Sequence, residues 1–274
     1  MSKIGIVGVG MVGGALKDYF EKRGDVEIFL YDKGKNLGSM EEVNKADVVF
    51  ICVPTPYKED LGGFNLSYVE ETCQNLTTGK TVVIKSTVLP KTTENLQEKF
   101  PHHSFLFNPE FLVEAKAGET MEEPDRQIVG YTKESKDLAE GIMNLLPDAP
   151  YKKTMPATEA EMVKYFGNTF LSVKVIFGTQ MHEVCEKLGI NYDTVREAAS
   201  KDPRIGPSHL DVTHGGYKGY GGKCLPKDTR ALIQLSEKIK ADIDLLKKAE
   251  EINNKLMKKQ GIDDPEKYSE RNPY

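Results

Sequence analysis

The stretch Lys3-Ile4-Gly5-Ile6-Val7-Gly8-Val9-Gly10-Met11-Val12-Gly13-Gly14-Ala15-Leu16 decides the fold. Its first half is a short β-branched run and its second half opens a helical apolar pattern, so a strand must turn into a helix within the glycines. Gly8, Gly10 and Gly13 let the backbone turn tightly and approach a pyrophosphate, whose charge is favourable at a helix N-terminus. With Met11 and Val12 they form a candidate cofactor turn. Asp32 closes the next strand, where a carboxylate accepts hydrogen bonds from an adenosine ribose hydroxyl and repels a 2′-phosphate. Asp32 therefore points to NAD as cofactor, and its neighbour Lys33 joins the candidate cofactor contacts. A plain glycine turn with a surface aspartate is the bland alternative.

Outward from this turn, short β-branched runs at residues 4–7, 26–31, 47–53, 81–85, 104–107 and 127–130 alternate with amphipathic helical stretches. Such alternation predicts right-handed βαβ units and a mainly parallel sheet. After Pro156 the period becomes helical, over about 158–188, 193–200 and 242–260, with Gly261 as a C-cap. Residues 201–223 are rich in Gly, Pro, His and Tyr and read as a functional loop. The expected fold is α/β, a Rossmann-type doubly wound parallel sheet over 1–155. An all-helical domain with a long dimerisation helix follows over 156–261, and a polar tail over 262–274.

The 274 residues and formal net charge of -5 carry no basic stripe, which excludes nucleic acid and anionic lipid as natural partners. Four cysteines lie far apart without CxxC spacing, and His102, His103 and His182 lack metal-ligand spacing, so neither a disulfide framework nor a metal site is expected. No signal-like start and no membrane-length apolar run is read, so a soluble cytoplasmic protein is expected.

Four further segments, in order, are more specific: Val53-Pro54-Thr55-Pro56, Ser86-Thr87-Val88, Asn108-Pro109-Glu110-Phe111-Leu112-Val113-Glu114 and Gly221-Gly222-Lys223-Cys224-Leu225-Pro226-Lys227-Asp228. Together they resemble the UDP-glucose/GDP-mannose dehydrogenase family, and Pro124-Asp125-Arg126 leans toward UDP-glucose within it. The resemblance implies oxidation of the C6 hydroxyl of a UDP-sugar to a carboxylate by two hydride transfers to NAD. The second transfer needs a nucleophile that turns an aldehyde into a tetrahedral hydride donor. Cys224 suits that task, through a thiohemiacetal and then a thioester. Pro226 suits a first helical turn, so the thiol is expected at a positive helix end beside Lys223 and Lys227, which favours the thiolate. Cys52, Cys73 and Cys185 read as small buried hydrophobes.

Lys164 and Asn168 stand four apart on the long helix and share a face. By resemblance they hold the C6 oxygen, the lysine by charge and the asparagine by an aimed donor. The family pattern gives Asp228 and Thr87 to a proton-accepting water and Glu110 to general-base hydrolysis of the thioester. It places Val53, Pro54, Thr55, Ser86, Thr87, Glu114 and Lys227 at the cofactor. Glu110, Phe111, Leu112, Glu114, Tyr220 and Gly221 fall at the substrate. Arg204 matches an arginine that reaches the nucleotide of a substrate in a neighbouring subunit, which implies a homodimer. The Arg204–Cys224 stretch is longer than the family's, and His209, His214, Tyr217 and Tyr220 read as a mobile polar loop.

Family members continue into a second Rossmann-like domain that holds the nucleotide half of the substrate. About thirteen residues follow Gly261, too few for a βαβ unit, so the nucleotide grip is expected to come from elsewhere. Three readings stay open: an active dehydrogenase using dimer contacts and the long loop, an NAD-binding half-enzyme that needs a partner domain, and an NAD-linked hydroxy-acid dehydrogenase that transfers one hydride without a cysteine.

Overall fold

The computed structural model describes residues 2–58, 60, 63–112 and 116–267. β1 (Ser2–Val7) leads to α1 (Met11–Arg23), followed by β2 (Val26–Asp32), β3 (Leu37–Gly38), α2 (Met40–Val43) and β4 (Val48–Ile51). A hairpin of β5 (Tyr57–Lys58) and β6 (Gly63–Phe64) precedes α3 (Ser67–Asn75), β7 (Thr81–Ile84), α4 (Thr92–Lys99) and β8 (Ser104–Phe107). Then come α5 (Ala117–Glu122), β9 (Arg126–Tyr131), α6 (Ala139–Leu145) and β10 (Tyr151–Pro156). Helices α7 (Ala157–Leu188), α8 (Tyr192–Ser200), α9 (Leu225–Ile239) and α10 (Asp244–Lys259) complete the regular elements. Contacts divide the chain into two compact units, Met1–Lys164 and Tyr165–Tyr274.

In the first unit the sheet order is β10-β9-β8-β7-β4-β1-β2-β3. The run from β2 through β1, β4 and β7 to β8 is parallel. This sheet is doubly wound because alternate residues of each strand are buried on opposite faces. Val49, Ile51, Val82, Ile84, Phe105 and Phe107 enter one apolar cluster. Their neighbours Phe50, Val83 and Leu106 enter the other, with Leu16 and Phe20 of α1 and Ile142 of α6. Two features differ from the sequence reading. β8 and β9 pair antiparallel, and β10 forms the sheet edge beside β9. Side-chain alternation does not encode strand direction, and Tyr151-Lys152-Lys153-Thr154 is too polar to read as a strand because its side chains lie open at an edge.

Gly130 sets where α7 begins. A Cβ there would lie 2.8 Å from the Ala160 Cβ and 2.9 Å from the Ala157 Cα, so only glycine lets the helix start this close to β9. Within that start, the buried Glu161 carboxylate accepts hydrogen bonds from the Lys91 N–H (2.7 Å), the Thr93 N–H (2.8 Å) and the Thr93 hydroxyl (2.6 Å). It thereby caps α4 from another helix. Burial pushes this carboxyl up to about 7, although the three donors oppose the shift.

The second unit is helical. Ile176, Tyr220, Leu225 and Ala249 form its core, flanked by Leu171, Ile252 and Leu256. The Asn191 side chain caps α8 by accepting from the Thr194 N–H at 2.9 Å. α10 gives way to Gly261 at φ +75, the left-handed position that the expected C-cap glycine supplies. Parts of the loop between α8 and α9, expected to be polar and mobile, are packed into the helical unit. Tyr217 and Tyr220 are buried, the Lys174 ammonium donates to the Ile205 carbonyl at 2.8 Å, and the Tyr192 hydroxyl donates to the Leu210 carbonyl at 2.8 Å. Among the described residues no helix is long and apolar enough to cross a membrane.

Candidate active site

β1 lies between β2 and β4, so the chain leaves β1 to one side and later returns on the other. Ligands of such sheets bind outside the carboxyl ends of the strands at this reversal. Gly8 stands there at φ +87, and a Cβ on Gly13 would overlap the Gly8 carbonyl oxygen. A Cβ on Gly10 would meet open space. No side chain caps α1 at Gly10, so its first N–H groups face the turn without a side-chain acceptor. The turn is therefore closed against side chains at two glycines and open at the third, which fits a pyrophosphate on the helix N-terminus. Asp32 Oδ2 accepts from the Val9 N–H at 2.7 Å and Oδ1 from the Lys35 N–H at 2.9 Å. The Lys35 ammonium in turn donates to the Val9 carbonyl at 2.5 Å. Lys33 instead makes an exposed ion pair with Glu71 at 3.0 Å.

The loops after β4 and β7 meet beside this turn. The Thr55 hydroxyl donates to the Thr87 carbonyl at 2.7 Å, and the Ser86 hydroxyl donates to the Val53 carbonyl at 2.7 Å. Pro54 is exposed and Val53 and Thr87 are half-buried.

A buried charged cluster follows along the same strand ends. Lys164 Nζ donates to Glu110 Oε2 at 2.9 Å and to the Glu110 carbonyl at 2.8 Å. The second oxygen of Glu110 accepts from the Leu112 N–H. Burial pushes the Glu110 carboxyl up, but the Lys164 charge and hydrogen bond, the Leu112 N–H and the Lys85 charge outweigh it and hold the group below the usual carboxylate range. Lys85 is buried and donates to Asn108 Oδ1 at 2.5 Å, while the Asn108 amide donates to Gln127 Oε1 at 2.9 Å and to the Ile128 carbonyl at 2.7 Å. Asn108 opens one of the quoted segments without an assigned role, and Lys85 and Gln127 were not singled out from sequence. A lysine closing an apolar strand was the one available signal. Arg126 lies 4.0 Å over the Phe111 ring. Glu114 and its neighbour Val113 fall outside the described residues.

In the second unit, Cys224 occupies the N-cap position of α9 as an exposed thiol, with Pro226 in the first helical turn. Behind it, Gly221 has no room for a side chain, since a Cβ would lie 2.6 Å from the Tyr217 hydroxyl oxygen. Asp228, fully buried one turn on, accepts from Asn168 Nδ2 at 2.5 Å and pairs with the Lys227 ammonium. The Ser172 and Thr229 hydroxyls bond at 2.9 Å and join α7 to α9 at the same level. The two residues expected to converge on one oxygen thus each have a carboxylate of their own, Glu110 for Lys164 and Asp228 for Asn168. Helical spacing could not reveal those partners.

Tyr220 departs further from expectation. Its hydroxyl donates to Glu250 Oε2 at 2.5 Å, its N–H to Asn253 Oδ1 at 2.8 Å, and its carbonyl accepts from Asn253 Nδ2 at 2.9 Å. The side chain is packed in the helical core with its polar groups engaged there, where an open substrate contact was expected. Arg204 is open to solvent with its guanidinium forked on Asp202, at 2.6 Å for the shortest contact. Cys73 and Cys185 are buried and Cys52 is partly so, and desolvation pushes the Cys52 and Cys73 thiols up to about 12. Among the described residues no group of three or more His, Cys, Asp or Glu side chains could hold a metal ion.

A largely parallel, doubly wound sheet with its glycine turn at the reversal point defines a Rossmann-type nucleotide-binding unit. Residues 33–145 match the NAD binding domain of the UDP-glucose/GDP-mannose dehydrogenase family, and residues 158–255 match the central domain of the same family. The chain belongs to that family. It is 37% identical over 217 residues to a UDP-glucose 6-dehydrogenase of Rickettsia prowazekii, covering 75% of this chain and 49% of the relative. A UDP-glucose 6-dehydrogenase of Bacillus subtilis is 33% identical over 226 residues, covering 77% of this chain and 49% of that protein. A solved UDP-glucose dehydrogenase from Pyrobaculum islandicum superposes with a TM-score of 0.81 at 28% identity, covering 95% of this chain and 72% of that one. The chain spans about half the length of the curated relatives it matches.

Proposed function

We propose that this protein is an NAD-dependent nucleotide-sugar dehydrogenase that oxidises the C6 hydroxyl of UDP-glucose to UDP-glucuronate. The observation that carries the reading is the exposed Cys224 thiol at the start of α9, one turn before a buried Asp228 clamped by Asn168 and Lys227. NAD is held by the 8–13 turn and Asp32, with Val53, Thr55, Ser86 and Thr87 beside it. When bound, its nicotinamide supplies the hydride acceptor for each oxidation.

The residues divide the remaining work. Lys164 lends positive charge to the alkoxide at C6, and Asn168 adds an N–H donor. Asp228, with Thr87, orders the water that takes the hydroxyl proton. Cys224 adds to the aldehyde to give a thiohemiacetal, and loss of the C6 hydride leaves a thioester on its sulfur. Water then attacks the thioester carbonyl, releasing the acid and restoring the thiol. Glu110 is the base for that attack. Phe111, Leu112 and Gly221 contact the sugar, and Arg204 meets the nucleotide of a substrate held by a second copy. The same reading assigns residues 1–155 to cofactor binding, 156–261 to the helical and dimerising part and 262–274 to a tail, in a reducing cytoplasm. Incubation with UDP-glucose and NAD is expected to give two NADH per sugar, counted by absorbance against UDP-glucuronate formed. One NADH per sugar, or turnover only with another nucleotide sugar, would overturn the assignment.

A homodimer belongs to this reading. Phe166, Phe170, Phe177, Met181, Val184 and Leu188 are exposed along α7, spaced three, four or seven apart, which keeps them on one face of a straight helix. An apolar stripe of this length on a single helix is the signature of a covered interface. Phe170→Asp combined with Phe177→Asp is expected to convert the dimer to monomer at micromolar concentration, read by sedimentation. Wild-type protein sedimenting as a monomer would reject the interface.

A further inference from the structure

Lys85 is a buried cation for which the proposed chemistry has no use so far. It is 5 % exposed, closes the apolar strand β7, and lines the same cavity of about 200 Å³ as Glu110, Phe111, Arg126 and Gln127. Its hydrogen bond to Asn108 has a defined direction. Both amide hydrogens of Asn108 are committed, to Gln127 Oε1 and the Ile128 carbonyl, so the Asn108 oxygen must face Lys85 and Lys85 must donate. Two residues beyond Asn108 stands Glu110, held on its other side by Lys164.

The buried charges of this cluster are Glu110, Lys164 and Lys85, whereas Arg126 is half-buried and Glu123 and Asp125 are exposed at the cavity wall. A Glu110–Lys164 pair alone is neutral, and a lysine whose charge is cancelled at 2.9 Å has little left for an alkoxide. Adding Lys85 changes the sum to two cations and one anion. We propose that Lys85 is a positioning residue for the Glu110–Lys164 pair: through Asn108 it fixes the turn that carries Glu110, and its charge offsets Glu110 so that the charge of Lys164 is available to an oxyanion on the substrate. The inference rests on the C6-oxidising reading and deepens it.

The groups that sense Lys85 are consistent with this. Burial pushes its ammonium down, Cys52 and Glu110 push it up, and Lys164 pushes it down. Glu110 in turn is held down by both lysines.

The test uses Lys85→Gln, which keeps a donor toward Asn108, and Lys85→Met, which keeps neither donor nor charge. Carboxyl carbon NMR of glutamate-labelled protein follows the Glu110 titration, assigned by its loss in Glu110→Gln. Both variants are expected to raise the Glu110 midpoint by about half a pH unit or more. In turnover, kcat is expected to fall by roughly tenfold with KM nearly unchanged, since the lost interaction forms with the transition state. A Glu110 midpoint unmoved in both variants overturns the inference, whatever happens to thermal stability. Absence of turnover in the wild type would count against the dehydrogenase reading alone, because the titration is read without substrate or cofactor.

Discussion

Replacing Cys224 with serine is expected to end formation of UDP-glucuronate and of the second NADH, with turnover to the acid cut on the order of a thousandfold or more. A serine hydroxyl carries no meaningful alkoxide fraction at neutral pH, whereas a thiol sulfur is the stronger nucleophile and the thioester it forms hydrolyses more readily than the oxygen ester serine would give. The structural cost should be small, because Cys224 is exposed at the N-cap of α9 and serine is itself a preferred N-cap residue. Binding of NAD, followed by calorimetry, and the melting temperature should both stay close to wild type. Normal turnover in Cys224→Ser would reject the cysteine mechanism and favour the one-hydride hydroxy-acid reading.

Replacing Lys164 with methionine should have the largest effect on stability. Glu110 is 9 % exposed and Lys164 is 6 % exposed, so removing the ammonium leaves a buried charge without its main partner. Breaking such a pair from one side costs about 3 to 5 kcal/mol. The pH dependence should reverse as well. In the wild type the folded Glu110 sits below its unfolded value, so its contribution is present above the ordinary carboxylate range and is lost as pH falls. Without Lys164, the burial term is opposed only by the Leu112 N–H and Lys85, and the carboxyl is expected to rise above its unfolded value. Stability of the variant should then decline as pH rises above the unfolded carboxylate value, whereas the wild type loses stability as pH falls below it. Chemical denaturation at several pH values reads both slopes, and parallel slopes would reject the assignment of Glu110 as the partner that matters.

Much of this fold is visible in the residues themselves, because strands buried on both faces must be short apolar runs and a strand that enters a glycine turn before a helix has few alternatives. Strand direction is another matter. Nothing in Arg126–Tyr131 says that it runs against β8, and β10 is hidden by the lysines that protect a sheet edge. In the candidate site, the motifs name Glu110, Lys164, Asn168, Cys224 and Asp228, yet spacing says nothing about which cation meets which acid. Tyr220 shows the limit most clearly. An aromatic residue among glycines reads as exposed, and only Glu250 and Asn253, 30 and 33 residues away in sequence, bury it. Lys85 went unseen for the opposite reason, since a lysine after Val82-Val83-Ile84 looks like the polar end of a strand and not like a charge within the core.

The tie between Asp32 and the glycine turn has a consequence for affinity and selectivity. Both carboxylate oxygens are already engaged, by the Val9 and Lys35 N–H groups, and Lys35 latches the Val9 carbonyl as well. Ordering one residue's backbone on binding costs roughly 1 to 2 kcal/mol, so a turn that is rigid beforehand loses little configurational freedom when a dinucleotide arrives. The same rigidity acts as a filter. On the proposed placement of Asp32 at the ribose, a carboxylate held at both oxygens would not turn aside for a 2′-phosphate, and selection between the two dinucleotides would draw on that restraint as well as on charge.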